Sequence, residues 1–185
     1  MQRFRPVLIA LVLLLLSTVG CNPTQDADFQ NGKEAYEKKD YTTAEPDFQK
    51  GLEAYNKKDY ATALREWRPL AEQGFTRAQG VLGTMYYDGK GVPQNDKTAV
   101  KWYRLSAEEG YAPAQFNLGL MYARGRGVPQ NDVYAHMWLN ISVLRGYKQA
   151  VEVRGLAAKV MTPFQIERAQ DLARECVEKK YKGCD

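Results

Sequence analysis

Two stretches of this chain align with each other at a shift of 36 residues, and few folds can accommodate such a duplication. Ala71-Glu72-Gln73-Gly74 meets Ala107-Glu108-Glu109-Gly110, Ala78-Gln79 meets Ala114-Gln115, and Leu82-Gly83 meets Leu118-Gly119. Met85-Tyr86 falls on Met121-Tyr122, and Val92-Pro93-Gln94-Asn95-Asp96 returns unchanged as Val128-Pro129-Gln130-Asn131-Asp132. Gly146, Ala150 and Gly155 hold the phase of a third, decaying copy, and Ala63 holds the phase of Ala99 and Ala135 upstream. A period in the range of roughly 20–50 residues implies stacked units, none of which can bury its own apolar face alone.

Each unit reads as two helices. Ala78, Leu82, Met85 and Tyr86 recur at i, i+4, i+7 and i+8, which is one helical face. Gly89 stands where a left-handed residue would stop that helix. Val92 is pushed to an extended conformation by Pro93. Asn95 or Asp96 then caps a second helix whose apolar face is Ala99, Val100, Tyr103 and Ala107, with Gly110 ending it. Gly83 and Gly119 fall inside first helices, where Gly costs about 1 kcal/mol relative to Ala. Their recurrence at one phase predicts a close helix–helix approach that a side chain would block.

The pattern Leu-Gly-x-Met-Tyr, then Gly-x-Gly-Val, then Ala with Trp-Tyr and a closing Ala-Glu-x-Gly resembles the Sel-1-like repeat, a branch of the tetratricopeptide superfamily. The resemblance covers residues 51–161. It implies an all-α, right-handed α/α superhelical solenoid of helix-turn-helix repeats, with the first helices lining a concave groove. It also implies a scaffold or adaptor role rather than an enzyme, with a protein or peptide as partner and no cofactor. Positions that differ between the two good copies are then the ones available to a partner, and Arg77, Tyr87, Phe116, Leu120 and Arg124 are the expected groove contacts. Cysteine-rich members of the family carry a Cys pair in every repeat, and some are linked to penicillin binding. The repeats here lack Cys, so that activity does not carry over. An envelope enzyme acting on peptidoglycan or β-lactams is the competing reading.

The flanks extend the expected architecture. Phe29–Ala44 repeats as Phe48–Ala63 at a shift of 19, with 12 of 16 positions identical, which predicts one extra helix at the start of a solenoid running over residues 29–161. Thr162-Pro163-Phe164-Gln165 fits a capping box with Pro at the first helical position. The helix after it carries an apolar stripe, Ile166, Ala169, Ala173, Cys176 and Val177, and is expected to cap the array within residues 162–185.

Arg3 and Arg5 precede an apolar run from Val7 to Leu16, then small and polar residues to Gly20, which is the pattern of a signal peptide over residues 1–20. The run is about half of the ~20 residues that span a bilayer. Cys21 after Gly20 resembles the lipobox of bacterial lipoproteins, although Thr18 stands where Leu is usual. That resemblance implies lipidation of Cys21, a polar tether over residues 21–28 and, with Asn22 following, an outer-membrane lipoprotein on the periplasmic side of the envelope. The lipid anchor is then the one membrane contact. An ordinary cut leaving a free Cys21 is the alternative.

In an oxidising compartment Cys176 and Cys184 read as a disulfide. Continuous helix would hold residues eight apart at ~12 Å, so the chain must reverse near Lys182-Gly183. Lys plus Arg number 26 against 22 Asp plus Glu; without Arg3 and Arg5 the balance is 24 to 22, too even for nucleic-acid binding. His136, the single histidine, has no metal-ligand spacing around it and reads as a partly buried structural residue. No residue pattern marks a catalytic group, and Trp67, Trp102 and Trp138 read as core.

Overall fold

The computed structural model describes residues 44–185. The expected signal peptide, Cys21, the tether and residues 29–43 of the shorter duplication lie outside the described residues. Eight helices follow in the rest: α1 (Ala44–Asn56), α2 (Tyr60–Glu72), α3 (Thr76–Asp88), α4 (Asp96–Glu108), α5 (Ala112–Arg124), α6 (Asp132–Leu144), α7 (Gln149–Ala158) and α8 (Pro163–Glu178). The first six pair as α1 with α2, α3 with α4 and α5 with α6, and each pair stacks on the next.

The helix ends fall where the punctuation residues put them. Gly89 adopts φ 70° and its N–H closes onto Met85 O, ending α3. Asn95 Oδ1 accepts the Thr98 N–H at 3.0 Å and starts α4; Asn131 does the same for Tyr134 at 3.0 Å and starts α6. Those bonds satisfy donors that a helix start leaves unpaired. In the shorter duplication, α1 ends at Asn56 and Asp59 caps α2 through the Thr62 N–H. The turn between them therefore occupies Lys57–Asp59.

Burial follows the expected faces. Ala78, Leu82 and Met85 of α3, and Ala99, Val100, Tyr103 and Ala107 of α4, are all buried. One cluster joins Phe48, Trp67, Phe75, Leu82 and Met85, with Trp67 Nε1 donating to Phe48 O at 3.0 Å. Burying each such side chain contributes about 1.5–3 kcal/mol. A second cluster joins Leu118, Met121, Met137 and Trp138 to Ala173 and Cys176 of α8. Trp102 departs from expectation: it is only half-buried, whereas Trp138 at the same repeat phase is buried in the cluster that includes Ala173 and Cys176 of α8.

Close approach occurs at both in-helix glycines. A Cβ on Gly83 would lie 2.5 Å from the Tyr103 ring, and one on Gly119 would lie 2.9 Å from Leu139 Cγ and 3.1 Å from Ala135 O. Gly155 keeps the phase but not the contact, with nothing within 4 Å, because α7 has lost the second helix that would pack there. Instead α8 packs on α6. Its capping box is complete: Gln165 N–H donates to Thr162 Oγ1 at 3.2 Å, and Thr162 N–H to Gln165 Oε1 at 2.9 Å. The buried stripe is Ala169, Ala173 and Cys176; Ile166 is half-buried and Val177 exposed.

After α8 the chain doubles back through Lys180, Tyr181 and Gly183, all at positive φ. Tyr181 N–H donates to Cys176 O at 2.8 Å, and Cys184 returns to Cys176 with Sγ–Sγ 2.08 Å and Cα–Cα 5.3 Å. The reversal starts at the end of the helix, earlier than Lys182-Gly183.

Candidate interaction site

The last turns of the first helices bring cations onto tyrosines. Gly125 stops α5 and turns the chain, and Gly127 then lies against the first turn of α4, where a Cβ would come within 2.4 Å of Asp96 O. That approach sets Arg126 beside Asp96 in a fork, Nη2–Oδ1 2.7 Å and Nε–Oδ2 2.8 Å. The bidentate arrangement fixes the guanidinium plane. The same guanidinium sits 4.1 Å from the centroid of the Tyr87 ring, within cation–π range. From α5, Arg124 Nη1 donates to Tyr87 Oη. Gln94 Nε2 donates to Tyr87 O at 2.8 Å and steadies the end of α3. Two guanidiniums thus converge on one tyrosine, Arg126 being paired with Asp96, while Arg124 Nε has no acceptor among the described residues.

One unit upstream the arrangement is neutral. Lys90 Nζ donates to Tyr55 Oη at 2.9 Å and pairs with Asp88 at 2.9 Å. Burial alone would lower the Lys90 pKa, but the bonds to Tyr55 and Asp88 outweigh it and hold the ammonium above its ordinary range. Burial pushes the Tyr55 phenol up, with Lys90 pulling the other way. Arg124 replaces Asp88 in repeat phase, which turns a balanced site into a positive one.

The five expected groove residues do not form one surface. Tyr87 and Arg124 meet and remain partly accessible. Arg77 is tied elsewhere, to Glu45 at 2.9 Å and over the Phe48 ring at 4.3 Å, bracing α3 against α1. Phe116 and Leu120 must be reassigned to the core. Phe116 is 0% and Leu120 5% exposed, because Tyr147, Ala150 and Val153 of the decaying third unit cover α5. The Phe116 and Tyr147 rings lie 5.2 Å apart. At the same phase one unit earlier, Gly80 faces Tyr111. The variation between copies is matched to the neighbour each position packs on.

His136 is also more deeply placed than its sequence context suggests. It is 4% exposed, its Nδ1 has no partner among the described residues, and burial followed by the charge of Arg154 lowers its pKa.

A second polar cluster carries no sequence signal. Asp185 reaches across to α4 and α5, where Arg104 Nη2 binds its Oδ2 at 2.6 Å and Arg104 Nε its Oδ1 at 3.3 Å. Tyr122 Oη donates to the same carboxylate and accepts from Arg104 at 2.9 Å. The Asp185 side chain is 1% exposed. Burial, then the bond to Asp185, raises the Tyr122 phenol. A separation of 81 residues hides this contact from any local pattern.

No helix among the described residues is long and apolar enough to cross a membrane.

Residues 76–111 and 112–147 each match the Sel1 repeat. A crystal structure of a protective antigen present in uropathogenic Escherichia coli strains, displaying an SLR fold, is similar over 76% of this chain, with a TM-score of 0.71 and 28% identity. This chain spans 31% of that protein. A Sel1 repeat protein from Oxalobacter formigenes is 37% identical over 50% of this chain and 27% of its own, with a TM-score of 0.48. No curated protein matches the sequence.

Proposed function

We propose, from the Sel1 repeats matched over residues 76–111 and 112–147, that the chain is a non-catalytic scaffold or adaptor of the bacterial cell envelope, binding a peptide or protein partner along its first helices. The observation that carries this reading is the Tyr87–Arg124–Arg126 cluster, two guanidiniums on one phenol with Asp96 paired to Arg126. Such a site fits a partner that offers carboxylates or backbone carbonyls, and Tyr and Arg are the residue types most enriched among interface anchors. It replaces Phe116 and Leu120 as the centre of contact, since both are core.

The envelope assignment rests on the leader and on Cys21, whose lipidation would anchor the chain, with the polar tether over residues 21–28 as spacer. The Cys176–Cys184 bond fits an oxidising compartment. The Escherichia coli relative is described as a protective antigen, which fits export, although this chain covers only 31% of it.

The test is capture of partners from envelope extracts with the wild-type chain and with an Arg124→Ala, Arg126→Ala double variant of unchanged circular dichroism. A species bound by the first and lost from the second supports the reading. Identical recovery by both removes this cluster as the site.

A further inference from the structure

The Arg104–Tyr122 pair that holds Asp185 has a counterpart one repeat earlier. Shifting each residue back by 36 gives Arg68 and Tyr86, and the pair is again formed: Arg68 Nη2 donates to Tyr86 Oη at 3.1 Å, against 2.9 Å for Arg104 to Tyr122. The two pairs differ in what lies on them. Arg104 is half-buried and Tyr122 only 6% exposed, because the returning tail covers both. Arg68 is exposed and Tyr86 half-buried, and no carboxylate of the described residues reaches them. The flanking contact is half-conserved as well. Lys182 Nζ lies 2.8 Å from Glu109 and 4.0 Å from Glu108, and their counterparts are Gln73 and Glu72, both exposed.

We propose that Arg68 and Tyr86 form a docking site for an aspartate side chain of a partner protein, presented as Asp185 is presented to Arg104 and Tyr122. The chemistry is the same at both places. A guanidinium gives two N–H donors and a charge, the tyrosine hydroxyl gives a third donor, and the Arg–Tyr bond holds the three in position before the ligand arrives. A basic residue three positions before the aspartate, in the place of Lys182, would meet Glu72. The chain's own tail cannot fill this second site, since the Cys176–Cys184 bond holds it at the first. The site lies on α2 and α3 and shares no residue with the Tyr87 cluster, so its failure leaves the reading above untouched.

The probe is a synthetic peptide of residues 176–185 carrying Glu178→Gln, closed by its own disulfide and amidated so that only the Asp185 side chain offers a carboxylate. It is titrated into the ¹⁵N-labelled wild-type protein, with arginine Nε and backbone signals followed by NMR. Saturable shifts at Arg68 and Tyr86 are expected. Asp185→Asn in the peptide should weaken binding at least tenfold, and Arg68→Met in the protein should abolish the shifts without altering the fold, since Arg68 is exposed. Several results overturn the proposal: no shift at Arg68 up to millimolar peptide, shifts confined to Arg104 and Tyr122, equal binding by the Asn peptide, or binding that survives Arg68→Met.

Discussion

Three glycines at the same repeat phase should respond to the same substitution with different signs. Gly83, Gly119 and Gly155 lie inside α3, α5 and α7. Gly→Ala within a helix gains about 1 kcal/mol from backbone propensity alone. At Gly155 the added methyl meets nothing within 4 Å, so the full gain of about 1 kcal/mol should appear. At Gly119 it would lie 2.9 Å from Leu139 Cγ and 3.1 Å from the Ala135 carbonyl, a backbone atom that cannot turn aside. At Gly83 it would lie 2.5 Å from Tyr103 Cδ1, and that ring is held by its hydroxyl contact with Thr84 Oγ1 at 3.2 Å. Overpacking costs typically about 1–3 kcal/mol. Subtracting the propensity gain of about 1 kcal/mol leaves Gly119→Ala destabilised by about 1 and Gly83→Ala by about 2 kcal/mol. Urea unfolding of the three variants, followed by circular dichroism, measures all of them against wild type. If Gly83→Ala stabilised as much as Gly155→Ala, the helix pairs would not be in close contact and the packing argument would fail.

Other substitutions follow from the same packing. Phe116→Ala should cost about 3–5 kcal/mol in urea unfolding, the range for a buried Phe, because the Tyr147 contact and the surrounding cluster lose their centre. Cys176→Ser with Cys184→Ser should cost about 2–3 kcal/mol from the short closed loop, and NMR order parameters at Asp185 should fall as the tail loosens. His136 has a pKa below its ordinary 6.5 in the folded state, so unfolding takes up a proton. Its contribution to stability is therefore present above about pH 6.5 and is lost as pH falls through that value toward the folded pKa; His136→Gln should flatten this part of a stability–pH curve. Cys21→Ala should move the exported protein from the membrane pellet to the soluble fraction, and a variant that stayed in the pellet would remove the lipid-anchor proposal.

Helix boundaries were legible because they depend on local chemistry. Gly89 and Asn95 act within one turn of where they stand, and their return at Gly125 and Asn131 marks the period. The close contacts at Gly83 and Gly119 were legible for a related reason, since a costly residue kept at one phase needs a structural cause. Phe116 and Leu120 depart from the expectation because variation between repeats does not imply exposure. In a stack, each position packs on the next unit, so Phe116 against Tyr147 and Gly80 against Tyr111 are paired changes within the core. Trp102 and Trp138 share one phase, but only Trp138 lies in the cluster with Ala173 and Cys176 of α8, a difference that the repeat pattern does not carry. The Asp185 contact depends on the path of α8 across α6, and no spacing in the sequence encodes it.

The claim that a partner docks at the ends of the first helices is tested most directly by site-specific photocrosslinking in intact cells. A photoreactive residue would replace Asp88, exposed beside Tyr87, and, as a control, Lys101, exposed on α4. The account predicts one discrete crosslinked species from position 88, absent from position 101 and lost when Arg124→Ala and Arg126→Ala are added. Crosslinking at position 101 alone, or at position 88 regardless of the two arginines, would contradict it.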